Sequence, residues 1–246
     1  MMRTRPYDRF PSHSQQGGWG LVEILVAATI GLLLLGGLYT LFSSTQQTFR
    51  SQNQLAQLQD NQRLAMIMMT NVVQAAGYFP DPVNLTSTNA FPVTTPFIQA
   101  GQFITGTTGA ASPAIGGDTI TVRYVTASGD GVMNCTGTAN TTGSNVTYVN
   151  VFSVNAQNNL TCSVNGAAAT PLISGVQRLD ILYGVDTDSD GSVDTYIEAN
   201  DMTAANWNTL KSIQLSIIFV NPFASQAGQP PTLAPFTQVI SVMGRT

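Results

Sequence analysis

Apolar residues follow two rhythms along this chain. From Ile24 to Phe42 an uncharged, largely apolar stretch runs for 19 residues, close to the ~20 that cross a hydrocarbon core as a helix. It passes without a break into "SSTQQTFRSQNQLAQLQDNQRLAMIMMTNVVQAAGYF". There Leu55, Leu58, Ala65, Met69, Val72 and Ala76 recur at steps of three, four or seven, the period of one helical face. No proline falls between Pro11 and Pro80, and Gly77 suits the glycine that ends a helix. The spacing predicts a single helix from Trp19 to Ala76, roughly 85 Å long at 1.5 Å per residue. Its first half is apolar all round, and its second half has one apolar face. Met66, Met68 and Met69 are expected in the core rather than in a special site.

Past Tyr78 the rhythm changes. A Pro, Thr and Gly-rich stretch to Gly117 shows no sustained period and reads as loop with at most short strands. Two-residue alternation then takes over in "DTITVRYVT", with Ile120, Val122 and Tyr124 on one side. "VTYVNVFSV", "NLTCSV", "GVQRLDILYGV", "VDTYIEA", "LKSIQLSIIFV" and "FTQVISVM" follow as strand candidates. The expected fold class is α+β: a long N-terminal helix packed on a mostly antiparallel β-sheet. Whether seven strands form one sheet or a sheet plus a hairpin is open at this level.

Charge refines the picture. Only 9% of the 246 residues are charged, against about a quarter in ordinary soluble domains. Arg3, Arg5 and Arg9 against Asp8 leave a local +2 before the apolar run, so the rest carries −6 of the net −4. Nucleic-acid binding by the body is not expected, because phosphate contacts need clustered cations. The basic leader places the N-terminus in the cytoplasm and exports the body. After the run, "TLFSSTQQTF" offers no convincing small-x-small cleavage site, so an uncleaved anchor is the plain expectation. Against that background one residue is out of place. Glu23 stands at the edge of the run, although a carboxylate at mid-bilayer costs on the order of 3 kcal/mol.

Two further features carry chemistry. Cys135 and Cys162 are the only cysteines, too few for a closed zinc site, and the one histidine, His13, precedes the membrane segment. A disulfide is the expected state on the exported side, with two buried thiols as the alternative. In "DTDSDGSVD", Asp186, Asp188, Asp190, Gly191 and Asp194 stand at positions 1, 3, 5, 6 and 9 of a calcium loop. Ser192 falls between the last acids as a further oxygen ligand. Position 12 is Ile197 rather than glutamate, and "VDTYIEA" alternates like a strand, so this is not a helix-loop-helix hand. The alternatives are a Ca2+ site and an Asx-rich hairpin turn. No nucleophile–base constellation can be assembled in the body, and no enzyme activity is expected.

The order Gly18, Trp19, Glu23 before the unbroken run resembles a type IV prepilin signal. That resemblance implies cleavage by the prepilin peptidase between Gly18 and Trp19, N-methylation of Trp19, and a subunit-docking role for Glu23. "LQDNQRLAMIMMTNVVQAAGYF", the spaced cysteines, "PLISGVQRLDILYGVDTDSDGSVDTYIEA" and Trp207 are similar to PilW-type minor pilins. The family implies a leader at 1–18, a transmembrane and filament-core helix at 19–44, an amphipathic continuation at 45–77 and a periplasmic β-rich domain at 78–246. It further implies an inner-membrane subunit that joins other minor pilins, the major pilin and a tip adhesin to prime pilus assembly, and sits at the pilus tip. Thr40 stands where many major pilins have a helix-bending proline. A type II secretion pseudopilin and a membrane-anchored calcium-dependent binding domain are the competing readings.

Overall fold

The computed structural model describes residues 20–110 and 114–242. Gly18 and Trp19, with the leader, lie outside the described residues. The chain divides into two units with the boundary between Asn53 and Gln54. Helix α1, Leu21–Gln74, contributes to both, close to the span that the spacing predicts.

In the first unit α1 contains a window of mean hydropathy 2.3, long and apolar enough to cross a membrane, none of it buried among the described residues. The threonines in and just after this run satisfy their hydroxyls within the helix. The Thr29 hydroxyl donates to the Leu25 carbonyl at 2.8 Å, that of Thr40 to Gly37 at 2.8 Å, and that of Thr45 to Leu41 at 2.8 Å. Each hydroxyl is thereby satisfied inside its own helix, which removes most of the cost of placing it in lipid. The helix runs unbroken through Gly31, Gly36 and Gly37.

The described residues of the second unit form two five-stranded sheets. One contains β1 (Ile104–Thr107), β3 (Thr119–Thr126), β4 (Val146–Val154), β5 (Asn159–Val164) and β6 (Thr170–Ser174), in that spatial order and antiparallel throughout. The other contains β10 (Phe236–Ser241), β9 (Leu210–Phe219), β7 (Val176–Val185) and β2 (Gly116–Gly117), with β8 (Thr195–Ile197) also on β7. All seven predicted strands are present. The three additional ones, β1, β2 and β6, are short. The chain leaves the first sheet at Ser174 and enters the second at Val176 through Gly175 alone, whose φ of 79° only glycine adopts without strain. That single-residue switch is one reason why periodicity could not distinguish one sheet from two. Short elements complete the unit: α2 (Ser87–Ala90), a 3₁₀ turn at Ala199–Asp201, and α3 (Ala204–Asn208).

One core joins the end of α1 to both sheets. Ala65, Met66, Met69, Val72, Val73 and Ala76 are buried with Ile120, Phe152, Leu179, Ile181 and Leu215, while Met68 and Leu58 pack at its margin. Leu55 is 44% exposed, so the buried face begins at Leu58 instead. Nearby, Asn61 donates to the Ser174 carbonyl at the end of β6. Trp207 of α3 stacks edge-on against Tyr183, with ring centroids 4.9 Å apart.

Cys135 and Cys162 form a disulfide, as expected, with Cα atoms 6.4 Å apart. Cys162 lies on β5, and the Cys135 N–H donates to Asn150 Oδ1 on β4 at 2.9 Å. Ahead of β4 the chain around Cys135 is rich in Asn and Thr, and side-chain turns order it where no long ladder runs. Asn134 Oδ1 accepts from the N–H and hydroxyl of Thr136 and from the Thr138 N–H. Asn140 accepts likewise from Thr142 and donates to the Thr126 and Ser144 carbonyls. On the chain-entropy account the cross-link contributes ~3.5 kcal/mol. Cys135→Ala with Cys162→Ala should therefore lower the denaturation midpoint of the detergent-solubilised chain markedly; an unchanged midpoint would contradict this role.

Candidate functional sites

Glu23 lies in the first turn of α1, where the positive end of the helix dipole favours a carboxylate. It is exposed, as are Leu21, Val22, Ile24 and Leu25 beside it. Local sequence explains the helix start: the Glu23 and Ile24 N–H groups both donate to the Gly20 carbonyl. The flanking surface is therefore a nearly uncharged apolar cylinder with one acid at its leading end.

The aspartate loop joins β7 to β8 as a hairpin, closed by the Asp194 N–H to the Val185 carbonyl at 3.0 Å. Asp186 is buried. Its Oδ1 accepts from the Ser189 N–H at 2.7 Å and its Oδ2 from the Gly191 N–H at 2.9 Å. The tight turn requires positive φ at Ser189 and Gly191, 65° and 93°. One oxygen each from Asp186, Asp188 and Asp194 lie within 4.8 Å of one another. Asp190 is not in that group: its Oδ1 accepts from the Ser192 N–H at 2.7 Å. Ser192 supplies this backbone donor.

Three carboxylates are a hard, all-oxygen donor set that suits Ca2+ or Mg2+ better than zinc. Two groups invisible to the spacing argument complete the loop. Lys211 Nζ at the start of β9 lies 3.4 Å from Asp186 Oδ2 and offsets part of its charge. Thr187 donates both its N–H and its hydroxyl to Asp194 Oδ2 at 2.7 Å, which holds that carboxyl below its ordinary range. The one lysine of the body was the available signal for the first; nothing in the pattern marked Thr187.

Other acids act as braces. Asp118, just before β3, accepts the Gly109 N–H with Oδ1 and the Ile181 N–H with Oδ2, tying the entry of β3 to β7. Arg178 pairs with Asp180 at 2.6 Å. Burial raises the Asp180 carboxyl and the adjacent guanidinium opposes that rise.

Comparison with curated proteins and with solved structures finds no match. Residues 146–238 match the family model described as Type IV Pilus-assembly protein W, a segment that holds β4 to β9, Cys162 and the whole aspartate loop. An apolar helix fit for a single membrane anchor thus precedes a domain that matches a pilus-assembly family, and the match supports involvement in type IV pilus assembly. Over this stretch the chain is similar to PilW-type pilus proteins, the family that its sequence motifs resemble.

Proposed function

We propose that this chain is a minor pilin that primes type IV pilus assembly and is carried at the pilus tip. The observation that supports it most is the pairing of an uncovered apolar helix with a pilus-assembly domain. A window of hydropathy 2.3 with no protein cover must be sheltered by lipid or by neighbouring helices. Transfer from one shelter to the other is filament assembly, and it needs no catalysis by this subunit. In this reading the basic leader holds the N-terminus in the cytoplasm, the span sits in the inner membrane, and the body is periplasmic. The prepilin peptidase cuts after Gly18, and Trp19 becomes an N-methylated cationic terminus. That terminus pairs with Glu23 of its own or a neighbouring helix and sets the axial register against other minor pilins, the major pilin and a tip adhesin.

Ca2+ is the proposed ligand of the hairpin loop. Asp186, Asp188 and Asp194 would hold it, and it would supply the charge neutralisation that fixes the loop; Asp190 and Ser192 would order the turn around it. Mass spectrometry of the mature chain, with and without the peptidase, should find Trp19 at the N-terminus only when the enzyme is present; Met1 in both samples would overturn the pilin reading. Calorimetric titration of the detergent-solubilised chain with Ca2+ should give a one-site heat that Asp188→Ala removes, while a silent wild type would refute the metal.

A further inference from the structure

On β3 the buried run Ile120, Val122, Tyr124 faces the main core, and Arg123 points to the opposite side of the sheet, where it too is buried. Residues 79–102 lie over that side. This segment has almost no ladder of its own, with only α2 and a Thr94–Phe97 bridge inside it. Its three phenyl rings, Phe79, Phe91 and Phe97, are buried, yet they are not part of the main core.

Arg123 holds them from the strand. Its Nε donates to the Gln102 carbonyl at 2.7 Å. Nη1 donates to the Pro92 carbonyl at 2.8 Å and to Thr94 Oγ1 at 2.9 Å, and Nη2 donates to the Phe91 carbonyl at 3.3 Å. The guanidinium carbon stands 4.0 Å from the centre of the Phe97 ring and 5.4 Å from that of Phe91. The cation is thus met by carbonyl dipoles, a hydroxyl and aromatic faces, with no carboxylate beside it among the described residues. Burial lowers its pKa to about 10, which leaves it charged at neutral pH. Only a planar fan of donors can reach acceptors spread over Phe91 to Gln102; a lysine has three donors at one point.

We infer that Arg123 is the latch of the 79–102 loop, a conformational device that fixes this otherwise aperiodic segment on β3 with Val83, Val93 and Ile98 exposed, and whose removal frees the loop while both sheets stay folded. The separation of the two apolar clusters makes the effect local. The loop ends are held independently by the Val125 N–H to Tyr78 and the Arg123 N–H to Phe103, and Gln99 is tied to Asn208 at 2.8 Å. The stretch from Phe91 to Thr94 has only local backbone ties, Phe91 to Ser87 and Gly101 and Thr94 to Phe97, and there the fan makes three of its four contacts, the ones that join it to β3.

Hydrogen exchange read by mass spectrometry on the full chain in detergent tests this. Arg123→Lys and Arg123→Met should each speed exchange in peptides covering 80–102 by about tenfold or more, with protease cuts appearing there, while peptides of β4, β7 and β9 keep wild-type protection. Unchanged loop protection, or a uniform rise across all strands, would overturn the latch. Should the Arg123 variants not accumulate, Thr94→Val removes one acceptor at an exposed position. It should raise exchange only near 91–98, by a few-fold; a global rise or no change would equally refute the inference.

Discussion

The constraint on which the rest depends is an apolar helical surface that no other described residue covers. The leading part of α1 carries an 18-residue window as hydrophobic as a membrane span, and no part of that window is buried. At about 25 cal/mol per Å² of apolar surface, such a helix cannot persist in water alone. It has to be sheltered in lipid or among other apolar helices. The polar residues within it are compatible with both, since Thr29, Thr40 and Thr45 return their hydroxyls to the helix carbonyls and ask nothing of the surroundings. Glu23 is the one acid of the run, and a partner with positive charge would satisfy it.

The folded unit solves a different problem, how to order a body with few charges and long aperiodic loops. Its answer is a small number of buried polar hubs. Arg123 gathers one loop, Asn134 and Asn140 gather the disulfide-closed segment, Asp118 ties the entry of β3 to β7, and Asp186 gathers the hairpin loop. Each hub is worth more in the interior than at the surface because its partners would otherwise be buried without hydrogen bonds. The weakly charged, Asn- and Thr-rich composition is therefore not only a surface property; much of it is internal scaffolding.

How much of this could be read in advance depended on distance along the chain. The helix, its methionines and seven strands rest on local period, and their positions agree with the structure to within a few residues. The division into two sheets turns on Gly175 and on the excursion of β2 to β7, changes of partner that alternation does not encode. The aspartate spacing marked the loop, but which carboxylates converge is decided by the hairpin return that brings Asp194 beside Asp186, and by Lys211 arriving from β9. Arg123 stood in plain view as the polar position of an alternating strand. What covers it are carbonyls from residues 21 to 32 positions earlier, which no local pattern reports.

The role proposed for the leading helix is that of a docking surface held by the membrane until assembly. Glu23→Ala tests it directly, measured as the amount of this subunit in the membrane fraction and in sheared pili. The proposal predicts wild-type levels in the membrane and severe loss from the pili, because the substitution leaves the apolar run intact and removes only the acid proposed to dock. Wild-type incorporation of the variant would contradict it.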